Sequence, residues 1–116
     1  MNPKTVLALT LSAAFSASSA FAAPKAESAT ECGIAADMAV VARSLAEEEV
    51  QRPQAGAIMA RIYDVSESTR GKELMKDILD AAYRMKDNSS QKFAEELFTA
   101  CMKTGGNMDT VLGRRL

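Results

Sequence analysis

From residue 30 onwards, apolar and polar residues alternate with the period of an α-helix. Apolar side chains recur every three or four positions in four separate stretches, as in helices that bury one face. The stretches predict helices over residues 30–51, 54–64, 69–86 and 90–104. No stretch convincingly shows the period of two that is typical of a half-buried strand. The pattern therefore predicts an all-α fold, a compact bundle of about four short helices.

Each predicted helix carries an apolar stripe that we expect to face the core. Tyr83 flanks the third stripe, where its ring should cover the core with the hydroxyl at the edge. In chain order, the stripes are Ile34, Met38, Val41 and Leu45; Ala55, Ile58, Met59, Ile62 and Tyr63; Leu74, Met75, Ile78, Ala82 and Met85; and Phe93, Ala94, Leu97, Phe98 and Cys101.

The helix boundaries have their own signals. Ser28 and Glu31 have the spacing of a capping box, with Thr30 as a competing N-cap. Pro53 suits the first turn of the second helix. The pair Gly105–Gly106 predicts the end of the fourth helix, and one further turn is expected over Met108–Leu112.

Three consecutive glutamates, Glu47, Glu48 and Glu49, lie near the end of the first predicted helix. Adjacent residues on a helix point about 100° apart. The three carboxylates therefore cannot easily converge on one cation. We expect this run to be a solvated helical face.

The N-terminal stretch has the pattern of a secretory signal peptide. Lys4 is followed by an apolar run that is too short to span a membrane, and Ala20-Phe21-Ala22 fits the cleavage rule for small flanking residues. We therefore expect residues 1–22 to be removed, residues 23–29 to form a flexible leader, and residues 30–116 to form a single helical domain. The mature protein is then periplasmic or secreted, without a stable membrane anchor.

The composition excludes several chemistries. The chain has 116 residues, a formal net charge of −1 and no histidine. The charge balance argues against a nucleic-acid partner. Without histidine there is no imidazole base or metal ligand, and no phosphate-binding glycine loop is present. We expect no cofactor, no metal site and no catalytic residue.

Cys32 and Cys101 are the only two cysteines. In an exported protein they predict an intramolecular disulfide between the two ends of the domain. A redox site is the alternative, but the pair lacks the C-x-x-C spacing. An intermolecular bridge is the other alternative.

The chain resembles a group of small, functionally uncharacterised exported bacterial proteins. The features that carry the resemblance are the first-helix Cys32, the central pair Ala82-Tyr83 and the aromatic-x-x-Cys pattern of Phe98 to Cys101. The resemblance implies a compact helical domain with one disulfide, and it implies no catalytic residue. The segment from Gly105 to Leu116 is longer than in that group.

These features favour a binding or interaction protein that acts through a helical surface on a protein or peptide partner. Chaperone-like, inhibitor and immunity functions all fit this class. A secreted factor acting on another cell is one alternative. The other is a carboxylate-based enzyme, such as a hydrolase, that would use Asp37 with a glutamate of the 47–49 run, or Asp77 with Asp80.

Overall fold

The structure is a computed structural model that describes residues 25–113. The predicted signal peptide over residues 1–22 lies outside the described residues, as do residues 114–116. The described chain forms five helices: α1 (Ala29–Glu47), α2 (Arg52–Ile62), α3 (Thr69–Arg84), α4 (Ser90–Lys103) and α5 (Asp109–Leu112). No strand occurs between residues 25 and 113. The predicted all-α bundle is confirmed.

The first helix, α1, is the centre of the bundle. It packs most extensively against α4, then against α3, and it also contacts α2. Its inner face has alanine at three fully buried positions, which lets the neighbouring helices approach closely. The buried residues of α1 are Cys32, Ala35, Met38, Ala39, Ala42 and Arg43.

Helix α1 begins where the capping signal predicts. The Ser28 hydroxyl accepts a hydrogen bond of 3.2 Å from the Glu31 N–H. Ser28, and not Thr30, is therefore the N-cap. The Glu31 carboxylate departs from a standard capping box because it accepts from the Glu27 N–H at 2.9 Å.

Helix α1 ends at Glu47, four residues earlier than predicted. The Val50 N–H donates to the Leu45 carbonyl oxygen and the Glu49 N–H donates to the Ala46 carbonyl oxygen, each over 3.0 Å. This pair of bonds is a Schellman turn, in which the residue after the cap is left-handed. Glu49 occupies that position with a φ of 64°. The glutamate run is exposed, as expected, but only Glu47 is helical.

Cys32 and Cys101 join α1 to α4 through a disulfide with a Cα–Cα distance of 5.7 Å. The predicted intramolecular pairing is confirmed. Both cysteines are buried, so the bond is shielded from solvent thiols. In the chain-entropy model a loop of this length stabilises the folded state by about 4 kcal/mol.

The segment before α1 is fastened beside this disulfide. The Ala26 N–H donates to the Gly106 carbonyl oxygen at 3.0 Å, and an Arg70 guanidinium N–H donates to the Lys25 carbonyl oxygen at 2.9 Å. Gly106 has a φ of 99°, and a Cβ atom there would lie 2.0 Å from the Ala26 carbonyl oxygen. Glycine is required at this position. Residues 25–28 of the predicted flexible leader are thus tied to the bundle.

Candidate interaction site

Three of the side chains predicted to lie in the core are exposed. Ile34 is 44% exposed, Ile62 is 54% exposed and Phe98 is 40% exposed. The prediction is wrong for these three residues. Ile62 on α2 and Phe98 on α4 extend beyond what the neighbouring helices cover. Ile34 is exposed because the buried stripe of α1 is rotated by one position from the predicted one. Cys32 and Ala35 face the core, and Ile34 is left on the neighbouring face.

Phe98 lines a groove between α1 and α4, which we call the α1–α4 groove. Its volume is about 630 Å³. Small residues form part of the α1 wall, with Gly33 and Ala36 beside Val40, which is 39% exposed. The α4 wall consists of Ser90, Gln91, Ala94, Glu95, Phe98 and Thr99. The named residues of the α1 wall are therefore apolar, and the α4 wall combines Ala94 and Phe98 with polar side chains that include one carboxylate and no basic residue.

Ile34 and Ile62 line a second groove, which we call the Tyr63 groove. It has a volume of about 510 Å³ and lies between α1 and the segment that joins α2 to α3. Its polar residues include Tyr63, Asp37 and Asp64. Again the lining contains carboxylates and no basic residue.

A tyrosine–carboxylate pair connects the two sides of the Tyr63 groove. The Tyr63 hydroxyl donates a hydrogen bond to an Asp37 carboxylate oxygen. Burial raises the pKa of Tyr63 above its ordinary value, and the hydrogen bond to Asp37 raises it further. Tyr63 is therefore held in its neutral form as a hydrogen-bond donor, and Asp37 stays within reach of the groove.

The structure does not bring together the first pair of candidate catalytic acids. Each residue adds about 1.5 Å to the length of an α-helix, so Asp37 and Glu47 lie about 15 Å apart along α1. Glu48 and Glu49 follow beyond the end of the helix. Asp37 instead pairs with Tyr63.

The second pair of candidate acids lies on α3. Asp77 is buried. Asp80 accepts hydrogen bonds from Arg52, at 2.8 and 3.0 Å, and from Lys76 at 3.3 Å. Burial alone would raise the pKa of Asp80, but the hydrogen bonds and charges of Arg52 and Lys76 outweigh it and lower that pKa. A general acid requires the opposite shift.

Sequence reasoning missed Gly33 and Val40 as site residues. Both residues lie on α1 but are not members of its predicted apolar stripe. One signal in the sequence could have identified them. The first helix has more small and apolar residues than a single buried face can hold, so some of them must lie on a second face.

Residues 25–113 contain no cluster of three or more cysteine, aspartate or glutamate side chains that could hold a metal ion. None of the helices described is long and apolar enough to cross a membrane. Comparison of the chain with protein-family models, curated proteins and solved structures finds no match. The two grooves are therefore the features of the described chain on which a proposal of function rests.

Proposed function

We propose that this protein acts outside the cytoplasm as a binding protein, and that its α1–α4 groove holds an amphipathic helix of one partner protein. The observation that carries the proposal is the exposure of Phe98 and Val40 on the two walls of one groove. Exposed apolar side chains that line a common groove mark interaction sites.

The shape of the groove favours a helix as its occupant. Gly33, Ala36 and Ala94 have little or no side chain to keep an incoming helix away from the wall. In this mode of recognition, apolar anchors at helical spacing lie in the groove and the polar face of the partner stays in solvent. Gln91, Glu95 and Thr99 offer the polar groups that such a face meets at the rim.

The rigidity of the surface favours a single partner over many clients. The walls of the α1–α4 groove belong to two helices that are packed together and joined by the buried Cys32–Cys101 bond. A preorganised surface loses little conformational entropy on binding and recognises one shape well. This supports an inhibitor or immunity type of action.

The proposed location rests on two further observations. A structural disulfide persists in oxidising compartments and is rare in the cytoplasm. The first 22 residues have the pattern of a secretory signal. Mass spectrometry of the protein recovered from the cell envelope fraction should give a chain that begins at Ala23 with the cysteines oxidised. Recovery of the full-length, reduced chain in the cytoplasm would contradict the proposal.

Site-specific photo-crosslinking tests the partner. A photoreactive phenylalanine analogue is placed at position 98 in the groove, and separately at Lys72, which is exposed on α3 outside both grooves. We expect position 98 to yield one adduct from extracts of the cells that make the protein. Unlabelled wild-type protein should compete for the adduct, and a folded Phe98→Glu variant should not.

Three outcomes would contradict the proposal. Equal adducts from positions 98 and 72 would show that the groove is not the site. A ladder of many adduct masses, competed weakly, would indicate a chaperone instead of a one-to-one binder. An adduct of twice the mass of the protein would indicate self-association through the same face.

A further inference from the structure

The Tyr63 groove presents two carboxylates, Asp37 and Asp64, with which no basic side chain of residues 25–113 forms an ion pair. Ion pairs among residues 25–113 join Arg52 and Lys76 to Asp80, and Arg70 to Glu27 and Glu31. Neither Asp37 nor Asp64 takes part in one. Asp64 accepts hydrogen bonds from the backbone and hydroxyl of Ser66, and Asp37 accepts one from Tyr63. Within the described chain, both carboxylates are thus hydrogen-bonded but have no cationic partner.

Apolar side chains stand beside these charges. Ile34 and Ile62 are among the most exposed large apolar residues of the described chain, and both line the groove. A lysine or arginine side chain combines an apolar stem with a charged end. It fits a groove that offers apolar walls, two carboxylates and the ring of Tyr63.

Gly33 connects the Tyr63 groove to the α1–α4 groove. It lines both of them, so the two grooves meet across α1 at this residue. A Cβ atom at Gly33 would meet no atom within 4 Å. Packing within the chain therefore does not require glycine here, although glycine is unfavourable inside a helix. Because Gly33 has no side chain, the surface of α1 is lowest at this residue, and a bound segment can cross the helix there.

We propose that the Tyr63 groove is the subsite for a basic side chain of the partner bound in the α1–α4 groove. The bound segment crosses α1 at Gly33 and places a lysine or arginine between Ile34 and Ile62, with its charged end beside Asp37 and Asp64. The inference rests on the proposed function and adds to it the chemistry of the partner, a basic amphipathic helix.

Three synthetic helical peptides test this inference. They share one length and one pattern of leucine anchors, and their polar positions are all lysine, all glutamine or all glutamate. Binding of the fluorescently labelled peptides to the oxidised protein is measured at low salt and at high salt. From the modest strength of exposed ion pairs and of cation–π contacts, we expect the lysine peptide to bind roughly tenfold more tightly than the glutamine peptide at low salt. The preference should shrink at high salt, which screens exposed charges.

Two double variants of equal net charge distinguish the effect of the groove carboxylates on peptide binding from the effect of the protein's net charge. Asp37→Asn with Asp64→Asn keeps the hydrogen-bond acceptors of the groove and removes its charge. Glu73→Gln with Asp87→Asn removes the same charge at exposed positions outside both grooves. We expect the first variant to lose the lysine preference and keep the affinity for the glutamine peptide, and the second to keep both. Equal losses in the two variants would overturn the inference.

Phe98→Glu distinguishes a failure of this inference from a failure of the proposed function. If Phe98→Glu weakens binding of all three peptides but the wild type does not prefer lysine, the α1–α4 groove binds helices and the basic subsite is wrong. If Phe98→Glu leaves the binding of every peptide unchanged, the proposed function fails, and the basic subsite fails with it. The circular dichroism spectrum of each variant establishes that it is folded before binding is measured.

Discussion

Arg43 on the buried face of α1 donates a hydrogen bond of 2.7 Å from its Nε to the backbone carbonyl oxygen of Asn88, in the turn between α3 and α4. The same guanidinium donates to the carbonyl oxygens of Lys86 at 3.1 Å and Ala82 at 3.3 Å. The Ala82 carbonyl lies in the last turn of α3, where the helix dipole is negative, and the Lys86 and Asn88 carbonyls follow in the turn after it. A buried cation is therefore held by three backbone carbonyl groups.

Loss of the Arg43 side chain should be among the most damaging changes to stability. We expect Arg43→Met to lower the free energy of unfolding by about 3 kcal/mol, because three carbonyl groups lose their donor. Urea unfolding followed by circular dichroism measures the change. Arg61→Met is the control: Arg61 is exposed on α2, and its replacement should cost less than about 0.5 kcal/mol. Equal effects of the two substitutions would refute the assignment.

The disulfide should contribute a large share of the stability. Replacing both Cys32 and Cys101 with serine should lower the free energy of unfolding by about 4 kcal/mol, since the unfolded chain regains the entropy of an open loop. Urea unfolding is measured with and without a reductant. The reductant should lower the stability of the wild type by a similar amount and leave the double variant unchanged. A wild type that is equally stable when reduced would contradict the prediction.

The ion pair between Glu31 and Arg70 should make stability fall in acid. Hydrogen bonds of 2.8 and 2.9 Å from Arg70, and then one from the Glu27 N–H, lower the pKa of Glu31 from 4.5 to about 2. A lowered pKa stabilises the fold above pH 4.5, and this stabilisation is lost as the pH falls toward 2. About a third of each side chain is exposed, so solvent limits the gain to about 1 kcal/mol.

Comparison with Glu31→Gln isolates this contribution. The wild type should be more stable than Glu31→Gln at pH 7, and the difference should vanish near pH 2. Thermal unfolding of both proteins across this range measures it. A difference that stays constant with pH would mean that the charge of Glu31 contributes nothing.

The left-handed turn after α1 offers a stabilising substitution. Glu49→Gly should raise the free energy of unfolding by about 0.5 kcal/mol, because glycine adopts a positive φ without a steric penalty. Glu49→Gln is the matched control, since it removes the negative charge from the helix C-terminus and keeps the strained backbone. Thermal unfolding should rank the glycine variant above the glutamine variant. The reverse order would show that the charge is the dominant cost.

Much of the fold was predictable because its determinants are local. The spacing of apolar residues predicts α2, α3 and α4 to within about two residues, and the capping hydroxyl of Ser28 marks the start of α1. The disulfide was predictable because only two cysteines are present. The end of α1 was not, since a Schellman turn usually has glycine where this chain has Glu49.

The candidate site depends on contacts that periodicity does not contain. Apolar spacing shows which residues share a face of a helix, but not how much of that face the neighbouring helices cover. Ile62 and Phe98 therefore looked like core residues, although their stripes extend beyond what the neighbours bury. The hydrogen bond between Tyr63 and Asp37 joins residues that are distant in sequence. Arginine is usually found at the surface, so the burial of Arg43 could not be predicted from its residue type.

The two links that join the start of α1 to the end of α4 have a mechanical consequence. The Cys32–Cys101 bond and the Ala26–Gly106 hydrogen bond join the same two segments. A force that pulls on the two ends first breaks the hydrogen bond and is then carried by the covalent bridge. The chain between the two cysteines carries none of the load, so this loop cannot be extended while the disulfide is intact. An unfolding enzyme that pulls on either terminus would have to translocate a closed, disulfide-linked loop, unless the Cys32–Cys101 bond is reduced first.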